Sequence, residues 1–143
     1  MLLFDVNVLI RAADRRYVDH DRYERWLHDV VERDEAYGTS DVVLSGFLRI
    51  ATNPKIFKQP MALPTALEFV AGLRDQPNGV VIQPGRRHWD IFVDLCRRVN
   101  ARGNLVPDAY LAALAIESGS EWITTDRDYA RFPGLRWRHP LDG

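Results

Sequence analysis

The sequence is poor in features that would place it in several large classes. One cysteine, Cys96, in 143 residues excludes both an internal disulfide and a thiolate metal cluster. Its neighbours Phe92, Val93 and Val99 predict a small core residue on a helix face. No apolar run approaches the roughly 18 residues of a membrane span, so no membrane association is expected. The N-terminus has neither the basic start nor the small-residue cleavage site of a signal peptide, which predicts a cytoplasmic protein. The four histidines, His20, His28, His88 and His139, lack the close pairing of a zinc site and are expected at the surface. There is no G-x-x-x-x-G-K-[ST] loop, no G-x-G-x-x-G turn and no G-x-S-x-G elbow, so the common nucleotide-cofactor and acyl-transfer signatures are missing. Lysine is scarce as well: of 19 basic residues only Lys55 and Lys58 are lysine. The arginine excess suits bidentate pairing with phosphate or carboxylate, and fits a biased genomic base composition equally well. A net charge of −1 excludes a surface coated in positive potential, so any nucleic-acid contact must be local.

What is present fits one globular domain over residues 1–143, with 46% hydrophobic and 27% charged residues. Residues 2–5 read as a buried strand, and Asn7 as the cap of a short helix over 8–13. Tyr23, Trp26, Leu27, Val30 and Val31 form one stripe along a second helix. Tyr37-Gly38-Thr39 reads as a strand, and Ser40 or Asp41 caps a third helix carrying Val43, Leu44, Phe47, Leu48 and Ala51. A helix over 64–75 is expected to bury Leu63, Ala66, Leu67, Val70 and Leu73. Val80-Val81-Ile82 is β-branched and reads as a strand, and a helix over 86–101 presents Trp89, Phe92, Val93, Cys96 and Val99. Residues 109–116 are apolar on nearly every side, as in a helix packed into the core, and Gly119 ends them. A strand over 122–125 and an edge strand over 135–137 close the chain. The order β-α-α-β-α-α-β-α-α-β-α-β predicts an α/β fold, a three-layer α/β/α domain with a mostly parallel central sheet of four or five strands.

Three carboxylates stand in equivalent contexts. Asp5 follows the first strand, Asp126 follows the strand over 122–125, and Asp108 opens the apolar helix. Singly, each reads as a helix N-cap, worth about 1 kcal/mol. Together they point elsewhere, because Asp5 and Asp126 should emerge at one edge of a parallel sheet with the helix after Asp108 beside them. Like charges brought together are costly unless neutralised, and a hard divalent cation such as Mg²⁺ or Mn²⁺ takes such oxygen ligands.

Asp5-Val6-Asn7-Val8-Leu9-Ile10, Gly103-Asn104-Leu105-Val106-Pro107-Asp108-Ala109-Tyr110-Leu111-Ala112-Ala113-Leu114-Ala115 and Thr124-Thr125-Asp126-Arg127-Asp128-Tyr129 resemble, in this order, the successive motifs of PIN-domain ribonucleases. Length and order are similar to the VapC-type toxins of bacterial toxin–antitoxin pairs. The resemblance implies a single PIN domain with metal-dependent endoribonuclease activity on RNA, Mg²⁺ as cofactor with Mn²⁺ as substitute, a homodimer, and a cognate antitoxin that holds the enzyme inactive. It assigns Asp5 and Asp108 as the principal metal ligands, Asp126 as the acid completing the catalytic set, and Asn7 as support for Asp5. One departure stands out: in Leu44-Ser45-Gly46-Phe47-Leu48-Arg49, Gly46 occupies the place where the family generally carries Glu. Either three carboxylates suffice with more coordinated water, or Asp41, Asp128 or Glu117 contributes, or metal affinity is reduced. Candidate substrate contacts are Arg11, Arg49 and Arg127, with Arg15, Arg16, Lys55 and Lys58 nearby. The alternatives are a non-catalytic PIN-like module that binds RNA or protein, which the glycine makes credible, and a metal-dependent DNA nuclease or phosphatase.

Overall fold

An apolar triplet running into a carboxylate starts the architecture. In the computed structural model, which describes residues 1–142, β1 (Leu2–Phe4) buries Leu3 and Phe4, and Asp5 turns the chain into α1 (Val6–Ala13). Then follow α2 (His20–Glu32), β2 (Tyr37–Thr39), α3 (Asp41–Ala51), α4 (Leu63–Arg74) and β3 (Gly79–Val81). The second half comprises α5 (His88–Val99), α6 (Leu105–Ser118), β4 (Glu121–Ile123), a short 3₁₀ turn over Arg127–Arg131, and β5 (Trp137–Arg138). Among the described residues no helix is long and apolar enough to cross a membrane.

The strands lie in the order β3-β2-β1-β4-β5, and every neighbouring pair is parallel. The chain steps outward from β1 to β2 to β3, then returns to lay β4 on the other side of β1. Right-handed crossovers in opposite directions place their helices on opposite faces of the sheet. Accordingly α1 packs on α2 and α3, and α3 on α4, while α5 and α6 pack on each other. The expected three-layer arrangement is therefore present, with five strands. Strand order reverses between β1 and β4, and open α/β sheets bind ligands outside the strand ends at such a switch point. Asp5 and Thr124 sit there: Phe4 pairs with Ile123, and the Asp5 N–H donates to the Ile123 carbonyl at 2.9 Å.

Leu3, Phe4, Tyr37, Trp122 and Ile123 are the sheet's hydrophobic contribution to the core, and Ala109, Ala112, Ala113 and Ala115 of α6 are all buried. In β2 a Cβ on Gly38 would fall 2.9 Å from Ile82 Cγ1. No side chain fits there without moving a neighbour.

Several local expectations are revised. The first helix begins at Val6, so its cap is Asp5, with Asn7 already in the first turn. Asp108 is the fourth residue of α6, whose cap is Asn104. In α4 the buried line is Ala66 and Leu73, with Phe69 and Val70 packed against the core, while Leu63 and Leu67 are 55% and 46% exposed. The stack of Phe69 on Phe47, centroids 4.9 Å apart, fixes that rotation. Likewise α5 turns His88 and Leu95 inward and leaves Trp89 64% exposed. Two of the four histidines are buried instead of superficial, because each bonds a main-chain carbonyl. His20 Nδ1 lies 2.9 Å from the Arg11 carbonyl, and His88 Nε2 lies 3.0 Å from that of Tyr110. Cys96 packs against the core, as expected of a small helix-face residue.

Candidate active site

The ends of β1 and β4 are tied together by side chains. Asp5 Oδ1 accepts the Val6 N–H at 2.7 Å, and Oδ2 accepts the Thr124 hydroxyl at 2.7 Å and the Asn7 amide at 3.2 Å. Thr124 Oγ1 in turn accepts from Asn7 Nδ2 at 3.2 Å and from the Asp126 N–H at 3.0 Å. One hydroxyl thus uses its single donor and both acceptor lobes. Asn7 Oδ1 accepts the Thr125 N–H at 3.1 Å, so this side chain spans from α1 to the segment after β4. Beyond it, Asp126 caps the 3₁₀ turn by accepting the Asp128 N–H at 2.9 Å.

Asp108 arrives from the other wall. It lies one turn into α6, and its Oδ1 accepts the Tyr129 hydroxyl at 3.2 Å. Asp5, Asn7, Asp108, Asp126 and Tyr129 line one cleft of about 350 Å³, closed further along by Ile10, Arg11, Tyr17, Ile50 and Leu111. A larger groove of about 530 Å³, lined by residues of α1, α2 and α4, contains none of the three acids.

The electrostatics of the cleft are strained. Burial pushes the Asp5 carboxyl up to about 6, its hydrogen bonds to Thr124 and Val6 oppose this, and the charges of Asp108 and Asp126 add to the rise. Asp108 is also raised, first by burial and then by Asp126, against the Tyr129 hydrogen bond. Tyr129 is raised by burial and by the negative charge of Asp5 and Asp108, so its hydroxyl remains a donor at neutral pH. Such a set fits a divalent cation: all its donors are hard oxygens, and positive charge relieves their repulsion. Among the described residues no three acid, cysteine or imidazole side chains stand close enough to hold a cation by themselves. A cation held there would draw on water or substrate oxygens for the rest of its shell.

Residues 2–135 match the PIN domain family. The chain is a PIN-domain protein. A VapC ribonuclease of Mycobacterium bovis is 43% identical over 143 residues, covering 100% of this chain and 97% of its own length. Ribonuclease VapC25 of Mycobacterium tuberculosis is 35% identical over 140 residues, covering 98% and 99%. The chain therefore belongs with the VapC branch of the family. The fold agrees with VapBC2 of Rickettsia felis, solved bound to a DNA fragment from its promoter, at a TM-score of 0.69 and 15% identity, covering 96% of this chain and 97% of that one. It agrees likewise with DNA-bound VapBC of Salmonella typhimurium, at a TM-score of 0.66 and 21% identity over 99% and 100%.

The PIN cleft gathers Asp5, Asn7, Asp108, Asp126 and Arg11. The other candidates fall outside its lining. Asp41 pairs with Arg74 at 3.0 Å, and Glu117 accepts the N–H groups of Gly85 and Arg87 at the start of α5, at 2.6 and 2.9 Å. Asp128 is exposed, and its carboxylate faces Arg131 at 3.8 Å. Arg49 is exposed on α3, and Arg127 is paired with Asp142 at 3.1 Å. A Cβ on Gly46 would lie 3.2 Å from Val6 Cγ2, so the position faces the first turn of α1, beside the cleft. Sequence reasoning missed three residues of the site: Thr124, Tyr129 and Tyr17. Thr124 had a readable signal, an inward-pointing hydroxyl at a strand end two residues before an acid. Tyr129 and Tyr17 had none, since their positions depend on how the turns fold back.

Proposed function

We propose that the protein is a metal-dependent endoribonuclease and the toxin of a toxin–antitoxin pair, with Asp5, Asp108 and Asp126 as its catalytic carboxylates. The observation that carries this reading is the meeting of those acids in one cleft at the switch point between β1 and β4. Mg²⁺ or Mn²⁺ bound there would lower the pKa of a coordinated water and offset negative charge on the phosphodiester. Asp5 is held rigid by Val6, Thr124 and Asn7 and presents a fixed ligand. Tyr129 steadies Asp108 Oδ1, and among the described residues Oδ2 has no hydrogen-bond partner. Asp126 keeps Oδ2 free as well, and takes the proton from the attacking water. In-line hydrolysis that expels the 3′-oxygen, as the family resemblance implies, then leaves a 5′-phosphate and a 3′-hydroxyl. The exposed Arg49 and Arg127 supply a local positive edge for the RNA backbone, while Arg11, paired with Asp19, lines the cleft itself.

We infer two partners, as the family resemblance implies: a small antitoxin that competes with RNA for the cleft, and a second copy of the chain. Curated relatives are named VapC ribonucleases, and structural neighbours are toxin–antitoxin complexes, which supports both the activity and the antitoxin. The test is cleavage of a mixed RNA substrate by the purified chain during a Mg²⁺ or Mn²⁺ titration, alongside Asp108→Asn. Metal-dependent cleavage lost in the variant is expected; equal cleavage by both would refute the assignment. A second reading, a non-catalytic binding module, is favoured by Gly46 alone. It predicts RNA or protein binding with no cleavage at any metal concentration. Parallel DNA substrates address the DNA nuclease alternative.

A further inference from the structure

The cleft has two chemically different ends. Beyond the acids, its lining turns apolar and aromatic through Ile10, Ile50, Leu111 and Tyr17, with Arg11 as the one cation among the described residues that line it. Arg11 is not disposed as a free phosphate clamp. Its Nη1 is 3.2 Å from Asp19 Oδ1, which balances its charge, and its guanidinium lies over the Tyr17 ring at 4.8 Å and toward the Tyr23 ring at 5.7 Å. Apolar walls and a neutralised cation attract a phosphate weakly. They suit the flat face of an aromatic ligand.

The platform is also held in place. Tyr17 lies in a tight turn, its N–H donating to the Asp14 carbonyl at 3.3 Å and its carbonyl accepting from the His20 N–H at 3.1 Å. Asp14 is gripped by Arg16, with Nε and Nη2 at 2.9 and 2.8 Å, and Arg16 Nη1 reaches the Gln59 carbonyl at 2.6 Å. The same guanidinium stacks over Phe57 at 4.9 Å. The turn that presents Tyr17 is thereby fastened to the loop after α3, and little ordering remains to be done when a ligand arrives.

Building on the ribonuclease reading, we infer that Tyr17, backed by Arg11, is a nucleobase subsite that stacks an unpaired RNA base next to the scissile phosphate. Bases splayed from single strands and loops are bound by stacking on aromatic rings and arginine planes, and this is the usual route to sequence preference on RNA. Asp5 caps α1 and Arg11 lies six residues further, about 9 Å along the helix axis. The base bound at Tyr17 therefore belongs to a nucleotide flanking the cut, while the phosphate to be broken stays at the acids.

The experiment uses the full chain with Mn²⁺ and a randomised single-stranded RNA pool, sequenced at the cut ends. Wild type should show a base preference at one position beside the cut. Tyr17→Ala should flatten that preference and lower kcat/KM by roughly five- to a hundredfold, mainly through KM. Tyr17→Phe, which keeps the ring, should restore both. A defined substrate carrying an abasic nucleotide at the preferred position should reproduce the defect in wild type and add none in Tyr17→Ala. A Tyr17→Ala defect equally large on the abasic substrate would mean a folding or Arg11-anchoring role and would overturn the subsite. So would an unchanged preference in Tyr17→Ala. No cleavage by wild type anywhere in the pool would overturn the nuclease reading itself, a different result from either of these.

Discussion

The two walls of the acidic cleft are built to different standards. On the β1/β4 wall Asp5 is 8% exposed and receives three hydrogen bonds, from Val6, Thr124 and Asn7. On the α6 wall Asp108 is half-buried and receives one, from Tyr129 at 3.2 Å. The first wall is made of adjacent parallel strands whose register fixes the position of each atom. The second is a helix whose carboxylate sits at the end of a rotatable side chain. A cation bridging them would meet a preformed ligand on one side and an adjustable one on the other. An ion that dehydrates reluctantly and relies on substrate oxygens can use such a site, because part of its shell is completed only when RNA arrives.

The comparison is broken most severely by removing a carboxylate. Asp5→Asn and Asp108→Asn should each reduce RNA cleavage by roughly 10²–10³-fold, the scale seen when one preorganised electrostatic contact is lost. Circular dichroism should report an intact fold for Asp108→Asn, whose side chain has one partner. A smaller loss for Asp108→Asn than for Asp5→Asn would rank the fixed wall as the dominant one.

Next in size is Thr124→Val, which keeps the shape and removes the hydroxyl. It strips Asp5 Oδ2 of its shortest bond and leaves the Asp126 N–H without its acceptor. Leaving a buried polar group unpaired costs about 1–3 kcal/mol, and losing a partner that orients a metal ligand lowers affinity roughly 10–100-fold. Denaturant unfolding and a Mn²⁺ titration measure the two effects separately. Tyr129→Phe is the matching change on the other wall. It should cost at most about 1.5 kcal/mol of stability, and weaken Mn²⁺ less than Thr124→Val does. Equal effects would mean that the two walls are equally organised.

The fixed wall was the more legible one in the sequence, for a physical reason. Strand alternation and the parallel β-α order dictate that residues following β1 and β4 share an edge, so Asp5 and Asp126 could be paired from local pattern alone. The alternation of strands and helices followed from pattern in the same way, except that the seventh helical position of the expected order, after Asp126, is only a 3₁₀ turn over Arg127–Arg131. Rotations of α4 and α5 did not, because each helix has apolar residues on more than one face. The choice between Leu67 and Phe69, or Trp89 and His88, is made by partners distant in sequence, such as Phe47 and Tyr110. The Tyr129–Asp108 contact and the Arg11–Tyr17 stack are side-chain meetings across turns, and nothing in their spacing announces them.

A milder probe is pH. Asp5 stands at about 6 against an ordinary 3.8, so in the metal-free protein its ionised form costs stability above pH 6, and that cost is relieved as pH falls through 6. Metal binding runs the other way, since a proton on Asp5 competes with the cation. At pH 7.5 a hundredfold excess of Mn²⁺ over Kd should raise Tm by roughly 5–10 °C. At pH 5, about one unit below the Asp5 value, apparent affinity should fall about tenfold, and the Tm gain should shrink with it. A gain independent of pH between 5 and 7.5 would place the metal away from Asp5.

The smallest effect is expected from restoring an acid where the chain has Gly46. Glycine inside a helix costs about 0.5–1 kcal/mol relative to alanine, which favours the substitution. Against it, the new Cβ would press on Val6 Cγ2 at 3.2 Å, so α3 or Val6 must shift slightly. These effects oppose each other, and Gly46→Glu should change stability by less than about 1 kcal/mol, with Gly46→Ala as the control for packing. The consequence for metal binding separates two accounts of the open spacing. If the cleft has room for a further ligand beside the first turn of α1, Gly46→Glu should tighten Mn²⁺ several-fold over Gly46→Ala, because a fourth carboxylate replaces a water. If Val6 fills that space, affinity should stay level or fall, since another negative charge near Asp5 raises its pKa further and favours the proton over the metal. Isothermal titration of both variants at pH 7.5 distinguishes the outcomes.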